Sequence, residues 1–498
     1  MRPIKNLTIL GGGSSGWMTA KYLSVKNPNL NITLIESPNI KTIGVGESMT
    51  PYLMRFFKSI GIENESDWMP HCNATYKNGV LYQDWDYKGS RFWHAFEVDE
   101  GVYPYWNIKR KKEGLGVEDY WKSTMYTGRM GIEDSNKWLS DKEGNTPEYY
   151  HSQVFNGWPQ TWAYHIDAGL FGDYIKDITI NDITHVSAEI TTVETDNDGI
   201  TKIIDDSGVE YIADLYIDCT GFKKVLIGKV NNEFSTLDPF LTHDKVIALP
   251  TPYIDKDKEM KPRTKSTALS AGWAWEVPLY NRIGSGYCYS SKYITDLEAE
   301  KELREHIGVE RVKDVKSFSV DIETGYYKEP FTKNVVAVGL SSGFIEPLEA
   351  TVMFLSQVAG IRINDVINND ITIKQYNSEV QVMMEDFIDY ISTQYYLSHR
   401  DDSEFWRAQK DSHISKKMQE WIVSSKNKMQ PPSRKELFVD SSWISKAVGF
   451  GLFPSTSMFA GYSDEGANKA NAHSKKINDF DFDGRISQKE YLDRFVYK

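Results

Sequence analysis

The run Gly11-Gly12-Gly13-Ser14-Ser15-Gly16 follows a short apolar strand, Asn6 to Leu10, and leads into a helical pattern through Met18, Ala20 and Leu23. At this spacing Gly11 permits a tight turn, Gly13 lets backbone approach a pyrophosphate, and Gly16 lets helix pack on strand. An anion then sits at the helix start beside Ser14 and Ser15, where free N–H groups and the dipole favour it. A second strand, Ile32 to Ile35, ends in Glu36, a carboxylate placed to accept hydrogen bonds from unphosphorylated ribose hydroxyls. A second chemistry is written at the far end of the chain. Asp479, Asp481 and Asp483, then Arg485 through its carbonyl, Ser487 and Glu490 fall at the ligand positions of an EF-hand loop, with Gly484 at the turn. No second such loop is visible, which suits a structural calcium (Ca2+) site rather than a sensor; the competing reading is an acidic surface turn.

The chain that must position these groups has 498 residues, with 57 Lys and Arg against 70 Asp and Glu for a net charge of −13. Acidity on this scale argues against a general nucleic-acid binder, which must displace counterions from phosphates. No stretch reaches the roughly 18 apolar residues of a membrane span. The apolar run at the N-terminus is too short for a secretory signal, so a cytoplasmic location is expected. Cys72, Cys219 and Cys288 are scattered, which suggests neither a zinc site nor a disulfide framework. Aromatic residues reach 13%, an amount suited to flat apolar pockets.

Leu215 to Thr220 and Val335 to Val338 are two further buried-looking strands, closing on Gly221 and Gly339. Strands returning to one sheet with glycine turns suit an extended cofactor such as FAD better than a compact NAD domain, and are equally compatible with ordinary strand ends.

Several further segments carry a resemblance. They are Gly44-Val45-Gly46-Glu47-Ser48, Cys72 to Lys77, YHIDAGLFGDYI from Tyr164, Gly272 to Pro278 (GWAWEVP), SGYCYSS from Ser285, Gly343 to Thr351, HRDDSEFW ending at Trp406, and SSWISKAVGFGLFP from Ser441. In this order they resemble the flavin-dependent halogenases of the tryptophan halogenase family, whose W-x-W-x-I-P signature appears here with Val277 for Ile. The resemblance implies an α/β (α+β mixed) fold: an FAD-dependent monooxygenase-like, Rossmann-type FAD module with a more helical substrate module. Both lie within 1–460, the FAD module being discontinuous around 1–50, 205–230 and 330–370. Residues 461–498, outside the resemblance, read as a linker plus the EF-hand-like loop.

The implied activity uses FAD as FADH2, supplied by a separate NAD(P)H-dependent flavin reductase, with O2 and a halide ion. Hypohalous acid is made at the flavin and passes to an electron-rich aromatic substrate, an indole, phenol or aniline, tryptophan being one candidate. Cofactor contacts map to Gly11, Gly13, Ser14, Ser15, Gly16, Glu36, Gly44, Val45, Gly46, Glu47, Leu340 and Met353. Lys77 maps onto the family's catalytic lysine, which holds or captures the oxidant; unlike Arg, a compact amine can shift its pKa and so serve as nucleophile as well as donor. Glu349 maps onto its carboxylate partner, and Glu346 is the structural neighbour; on a helix the two would share a face. Thr351 and Val352 take the halide positions. Val352 stands where the family usually has glycine or serine, so a drier pocket and a preference for bromide or iodide over chloride are expected. His94 and Phe96 resemble the pair that sandwiches an indole, and Trp273 and Trp275 lie between flavin and substrate in the family. The alternatives are a flavin-dependent aromatic hydroxylase and a protein that only binds flavin or calcium.

Overall fold

The computed structural model describes residues 3–40, 46–95, 162–238, 241–425, 432, 438, 440–452 and 487–497. Leu7, Thr8, Ile9 and Leu10 are all buried, although alternate residues of a strand point to opposite faces. A strand buried on both faces belongs inside a parallel sheet covered by helices. Asn6–Leu10 accordingly runs parallel to Leu215–Asp218 on one side and to Asn31–Glu36 on the other. Val335–Ala337 and Thr184–Ser187 extend this sheet in parallel, and Phe331–Thr332 closes one edge as an antiparallel hairpin arm. The helix Ser14–Lys26 joins Asn6–Leu10 to Asn31–Glu36 and packs against the helices Ala168–Asp177 and Thr351–Ile367. The fold is mixed α/β.

The chain divides into two compact units. The first comprises Met1–Cys72, Ile166–Asp244 and Asp321–Glu385, and holds the parallel sheet; the second comprises Asn73–His165, Lys245–Val320 and Asp386–Lys498.

The second unit is built on an antiparallel-dominated sheet. Its centre is the pair Gly272–Pro278 and Ile283–Tyr289, in unbroken register from Gly272 opposite Tyr289 to Pro278 opposite Ile283. Trp275 lies against Gly286, where any Cβ would collide with the indole ring. Glycine is therefore required at that position for the tryptophan to lie flat on its neighbour. Thr264–Ala268, Gly79–Gln83 and Arg91–Ala95 continue the sheet outward. The short strand Thr75–Lys77 pairs separately with Ala163–Asp167, Thr75 opposite His165 and Lys77 opposite Ala163.

Candidate active site

The glycine loop of the first unit is shaped by close approaches. Gly11 has φ +119°, and a Cβ there would collide with the Cys219 carbonyl oxygen; one on Gly16 would strike the carbonyl of Gly11. Gly13, by contrast, faces open space, and it caps the helix Ser14–Lys26 without any side-chain hydrogen bond. The first-turn amides therefore front a cradle that an anion can enter. Ser14 donates to the Ala168 carbonyl and Ser15 shares a hydrogen bond with Ser356, which fixes the loop. Glu36 already receives Lys176 at 2.5 Å and His185 at 2.9 Å, both on one carboxylate oxygen. Its second oxygen faces Gly12, where a Cβ would overlap it.

Asp218, not singled out in the sequence, ends the neighbouring strand. It is fully buried and accepts from Thr220, Ser341 and the amides of Leu226 and Ile227. This carboxylate anchors the two turns that carry Gly221 and Gly339.

The strand Gly46–Ser48 packs against the turn Leu348–Ala350. Burial pushes the Glu47 carboxyl up to about 7. The folded chain then holds this proton more tightly than the unfolded one. Its contribution is fully present below the ordinary carboxylate value of 4.5 and is lost as pH rises through about 7. Over that window the loss is roughly 3 kcal/mol. The flavin-free Glu47→Gln variant is expected to be more stable than the parent at pH 8 and to lose that advantage at pH 4.5. Urea midpoints at the two pH values check this, and equal midpoints at both would refute it.

The segment from Gly343 to Thr351 does not form the helix on which Glu346 and Glu349 would share a face. Glu349 has φ 68° and ψ 13°, and Ala350 has φ 58° and ψ 32°. Two successive non-glycine residues in the left-handed region cost about 1–3 kcal/mol each. Glu346, buried before this corner, lies 3.2 Å from His243 Nδ1. Beyond the corner the helix Thr351–Ile367 begins with Ala350 as N-cap and no side-chain cap. The Thr351 hydroxyl is buried with no hydrogen-bond partner among the described residues. An uncapped first turn with an orphaned donor beside it is suited to a small anion. Val352 and Met353 follow in that first turn; Leu340 is half-buried in the turn Gly339–Ser341.

In the second unit Lys77 is only 1% exposed. Its strand is held through Thr75, whose hydroxyl donates to the Pro278 carbonyl at 2.5 Å and also meets His165 Nδ1 at 3.1 Å. The single hydroxyl proton is thus spent on Pro278, so His165 Nδ1 must donate, leaving Nε2 to accept from Thr264 at 3.0 Å. Burial, reinforced by the charge of Lys77, holds the His165 imidazole well below its ordinary value. His165 is a neutral prop in a fixed tautomer, a role that its place in YHIDAG did not disclose.

Trp273 and Trp275 lie with ring centroids 6.0 Å apart, and Trp273 continues into Trp85 at 6.4 Å. Trp85 in turn meets Tyr395 and Trp406. The Trp273 indole N–H is buried without an acceptor among the described residues. His94 shares a 2.9 Å hydrogen bond with Ser442 and faces Tyr390, on which Phe438 stacks at 3.7 Å. Lys446 is buried over the same Tyr390 ring and donates to its carbonyl. One helical stripe, Asp386, Asp389, Thr393 and Gln394, is buried and polar. The Gln394 amide and Thr393 hydroxyl have no hydrogen-bond partner among the described residues. Nothing in the sequence pattern had marked these residues.

Lys77, His94, Trp273 and Trp275 belong to the second unit, whereas Glu349, Thr351, Val352 and the glycine loop belong to the first. Gly44, Val45, Phe96, Asp479, Asp481, Asp483 and Arg485 lie outside the described residues. Ser487 caps the short helix Gln488–Tyr491 and donates to Asp257, while Glu490 pairs with Arg494 at 2.7 Å. Among the described residues, no group of three or more His, Cys, Asp or Glu could hold a metal. None of the described helices is long and apolar enough to cross a membrane.

A family model described as tryptophan halogenase matches residues 6–462. Tryptophan 7-halogenase KtzQ of Kutzneria sp. (strain 744) is 33% identical over 442 residues, covering 82% of this chain and 79% of that protein. Tryptophan 7-halogenase RebH of Lentzea aerocolonigenes is 31% identical over 446 residues, covering 84% of this chain and 81% of its own. Among solved structures, the flavin-dependent halogenase Xcc4156 from Xanthomonas campestris superposes with a TM-score of 0.86 at 26% identity, covering 99% of both chains.

Proposed function

The chain belongs to the tryptophan halogenase family and is a flavin-dependent halogenase, and from that premise we propose that it halogenates an electron-rich arene of indole, phenol or aniline type, using hypohalous acid passed to Lys77. The observation that carries this over hydroxylation is the uncapped, anion-ready start of Thr351–Ile367 with its orphaned Thr351 hydroxyl. A hydroxylase has no use for a halide there.

Gly11, Gly13, Ser14, Ser15, Gly16 and Glu36 would hold the nucleotide half of FAD, and Gly44, Val45, Gly46, Glu47, Leu340 and Met353 its flavin half. The cradle at Gly13 and the free amides behind it suit a pyrophosphate. When bound in reduced form, FAD would supply the two electrons and two protons with which dioxygen, halide and one further proton become hypohalous acid and water. A separate NAD(P)H-dependent flavin reductase supplies those reducing equivalents.

The residues of the chain do the rest. The amides of Thr351 and Val352 hold the halide, and the Lys77 ammonium donates to the oxidant and polarises it toward the ring. His94, Phe96, Trp273 and Trp275 wall the arene. Substitution replaces a ring proton by halogen, and Glu349 accepts that proton. The dodecad from Asp479 to Glu490 is proposed as a structural calcium site, whose filling would require Ser487 and Glu490 to exchange Asp257 and Arg494 for the cation.

Turnover with FAD, a reductase and catalase against a panel of indoles, phenols and anilines, read by mass spectrometry, tests the reading. Halogen incorporation is expected, and addition of an oxygen atom instead would return the chain to the hydroxylase class. In equimolar bromide and chloride, the branched Val352 side chain makes brominated product the larger share, because chloride loses more hydration on entering a dry pocket. Val352→Gly is expected to shift the ratio several-fold toward chloride. A chlorinated majority from the parent would defeat the halide preference while leaving the activity standing.

A further inference from the structure

The strand Thr75–Lys77 has one edge paired with Ala163–Asp167, and no strand is paired with its other edge among the described residues. An open edge leaves backbone groups unpaired and the strand free to shift. Side chains from the far end of the chain close it. Gln488, fully buried, accepts the Tyr76 N–H through Oε1 at 2.8 Å and donates through Nε2 to the Met260 carbonyl at 3.0 Å. Tyr497 donates its hydroxyl to the Ala74 carbonyl at 2.8 Å. In a strand, the carbonyl of one residue and the N–H two residues later point the same way, so these two side chains replace a missing neighbouring strand.

The C-terminal segment is itself braced. Tyr497 stacks on Tyr280 at 3.7 Å, and Tyr280 donates its N–H to the Asn73 carbonyl and its hydroxyl to Asp493. Tyr491 packs against the Tyr76 ring at 5.9 Å. Every one of these contacts lies within the second unit. The segment also lies beyond residue 462, where the family match ends.

We propose that residues 487–497 form a clamp in which Gln488 and Tyr497 are positioning residues for Lys77, fixing the backbone immediately before it so that its ammonium stands where the oxidant arrives. The inference rests on the role given to Lys77 above. Beyond Lys77 the backbone is already held, Asn78 donating its N–H to the Pro262 carbonyl at 2.8 Å and Gly79–Gln83 being paired on both edges; the three-residue strand before it is what the clamp secures. A displacement of about an ångström is enough to cost roughly a hundredfold in a reaction that depends on aim.

The test uses the full-length chain carrying Gln488→Met, which keeps side-chain volume, and separately Tyr497→Phe, which removes one hydroxyl. Three quantities are read: halogenated product per reduced flavin oxidised, hypohalous acid escaping to a small phenol trap, and hydrogen exchange at Tyr76 and Lys77. The expected result for Gln488→Met is faster exchange at both amides, a roughly tenfold lower product yield and a matching rise in trapped hypohalous acid. Flavin oxidation rate and the KM for the arene should stay unchanged. Tyr497→Phe should show the same pattern more weakly, and it decides the matter if Gln488→Met does not fold. In a Lys77→Ala background, adding Gln488→Met should cause no further loss, since both act through one group. Faster exchange with undiminished yield would overturn the proposal, because the clamp would then be structural only. Full halogenation by Lys77→Ala itself would instead defeat the lysine assignment on which the proposal stands.

Discussion

Lys77→Ala is expected to lower halogenated product by about a hundredfold or more while reduced flavin continues to be oxidised at the parent rate. An ammonium buried to 1% exposure is costly to keep, and a chain retains one there only where it is used or paired. Around it the protein spends effort on placement: Thr75 tied to Pro278 and His165, His165 tied to Thr264, and Tyr76 tied to Gln488. Because His165 is held neutral, Lys77 is not asked to share the site with a second cation from that side. Lys77→Arg should fail nearly as badly, since the planar fork neither fits the space of a compact amine nor gives up a proton to capture the oxidant. Lys77→Met separates chemistry from folding, as it keeps the apolar stem and removes only the charge. The measurement is product per flavin oxidised, with a phenol trap in solution. Normal yield from the alanine and methionine variants would dismiss Lys77 as the delivering group; trapped hypohalous acid in place of product would establish it.

The glycine loop, the strands beside it and the acid at Glu36 were legible because their signals are local: a turn, a helix start and a strand end follow one another within a single βαβ unit. The partners of Glu36 were not, since Lys176 and His185 reach it from remote stretches of chain. Strand Thr75–Lys77 is too short for any periodicity to announce it. The left-handed corner at Glu349 was hidden for a different reason. Pro347 is tolerated at the start of a helix and Leu348, Glu349, Ala350 and Thr351 can all continue one, so nothing in their types forces the left-handed corner that the surrounding packing imposes. The polar stripe of Asp386, Asp389, Thr393 and Gln394 reads as an ordinary solvated helix face until the elements that bury it are known. Tyr497 and Gln488 are further cases, their partners Ala74 and Tyr76 lying 423 and 412 residues away in sequence.

That corner supplies the other large effect. Strain held at Glu349 and Ala350 persists only because the fold over-determines it, and strain of this kind concentrates where function needs a group aimed away from its easy path. Glu349→Gly should therefore stabilise the chain by about 1–2 kcal/mol, a left-handed glycine being nearly free of the penalty. The same variant removes the carboxylate, and halogenation should fall by about a hundredfold. Glu349→Gln keeps the strain and the volume but not the base, so it should lose activity without gaining stability. Ala350→Gly relieves strain one residue on and leaves the carboxylate in place; it should gain stability and keep most of its activity, provided the corner holds its shape. Urea midpoints paired with product per flavin oxidised distinguish the three. If Glu349→Gly were no more stable than the parent, the corner would not be strained in solution. If Glu349→Gln kept full turnover, the strain would serve to start the helix at Thr351 and present its amides to the halide rather than to aim a base. The carboxylate and the uncapped helix start are consecutive along the chain, so one strained corner can serve both, and only the pairing of stability with turnover tells which use it is kept for.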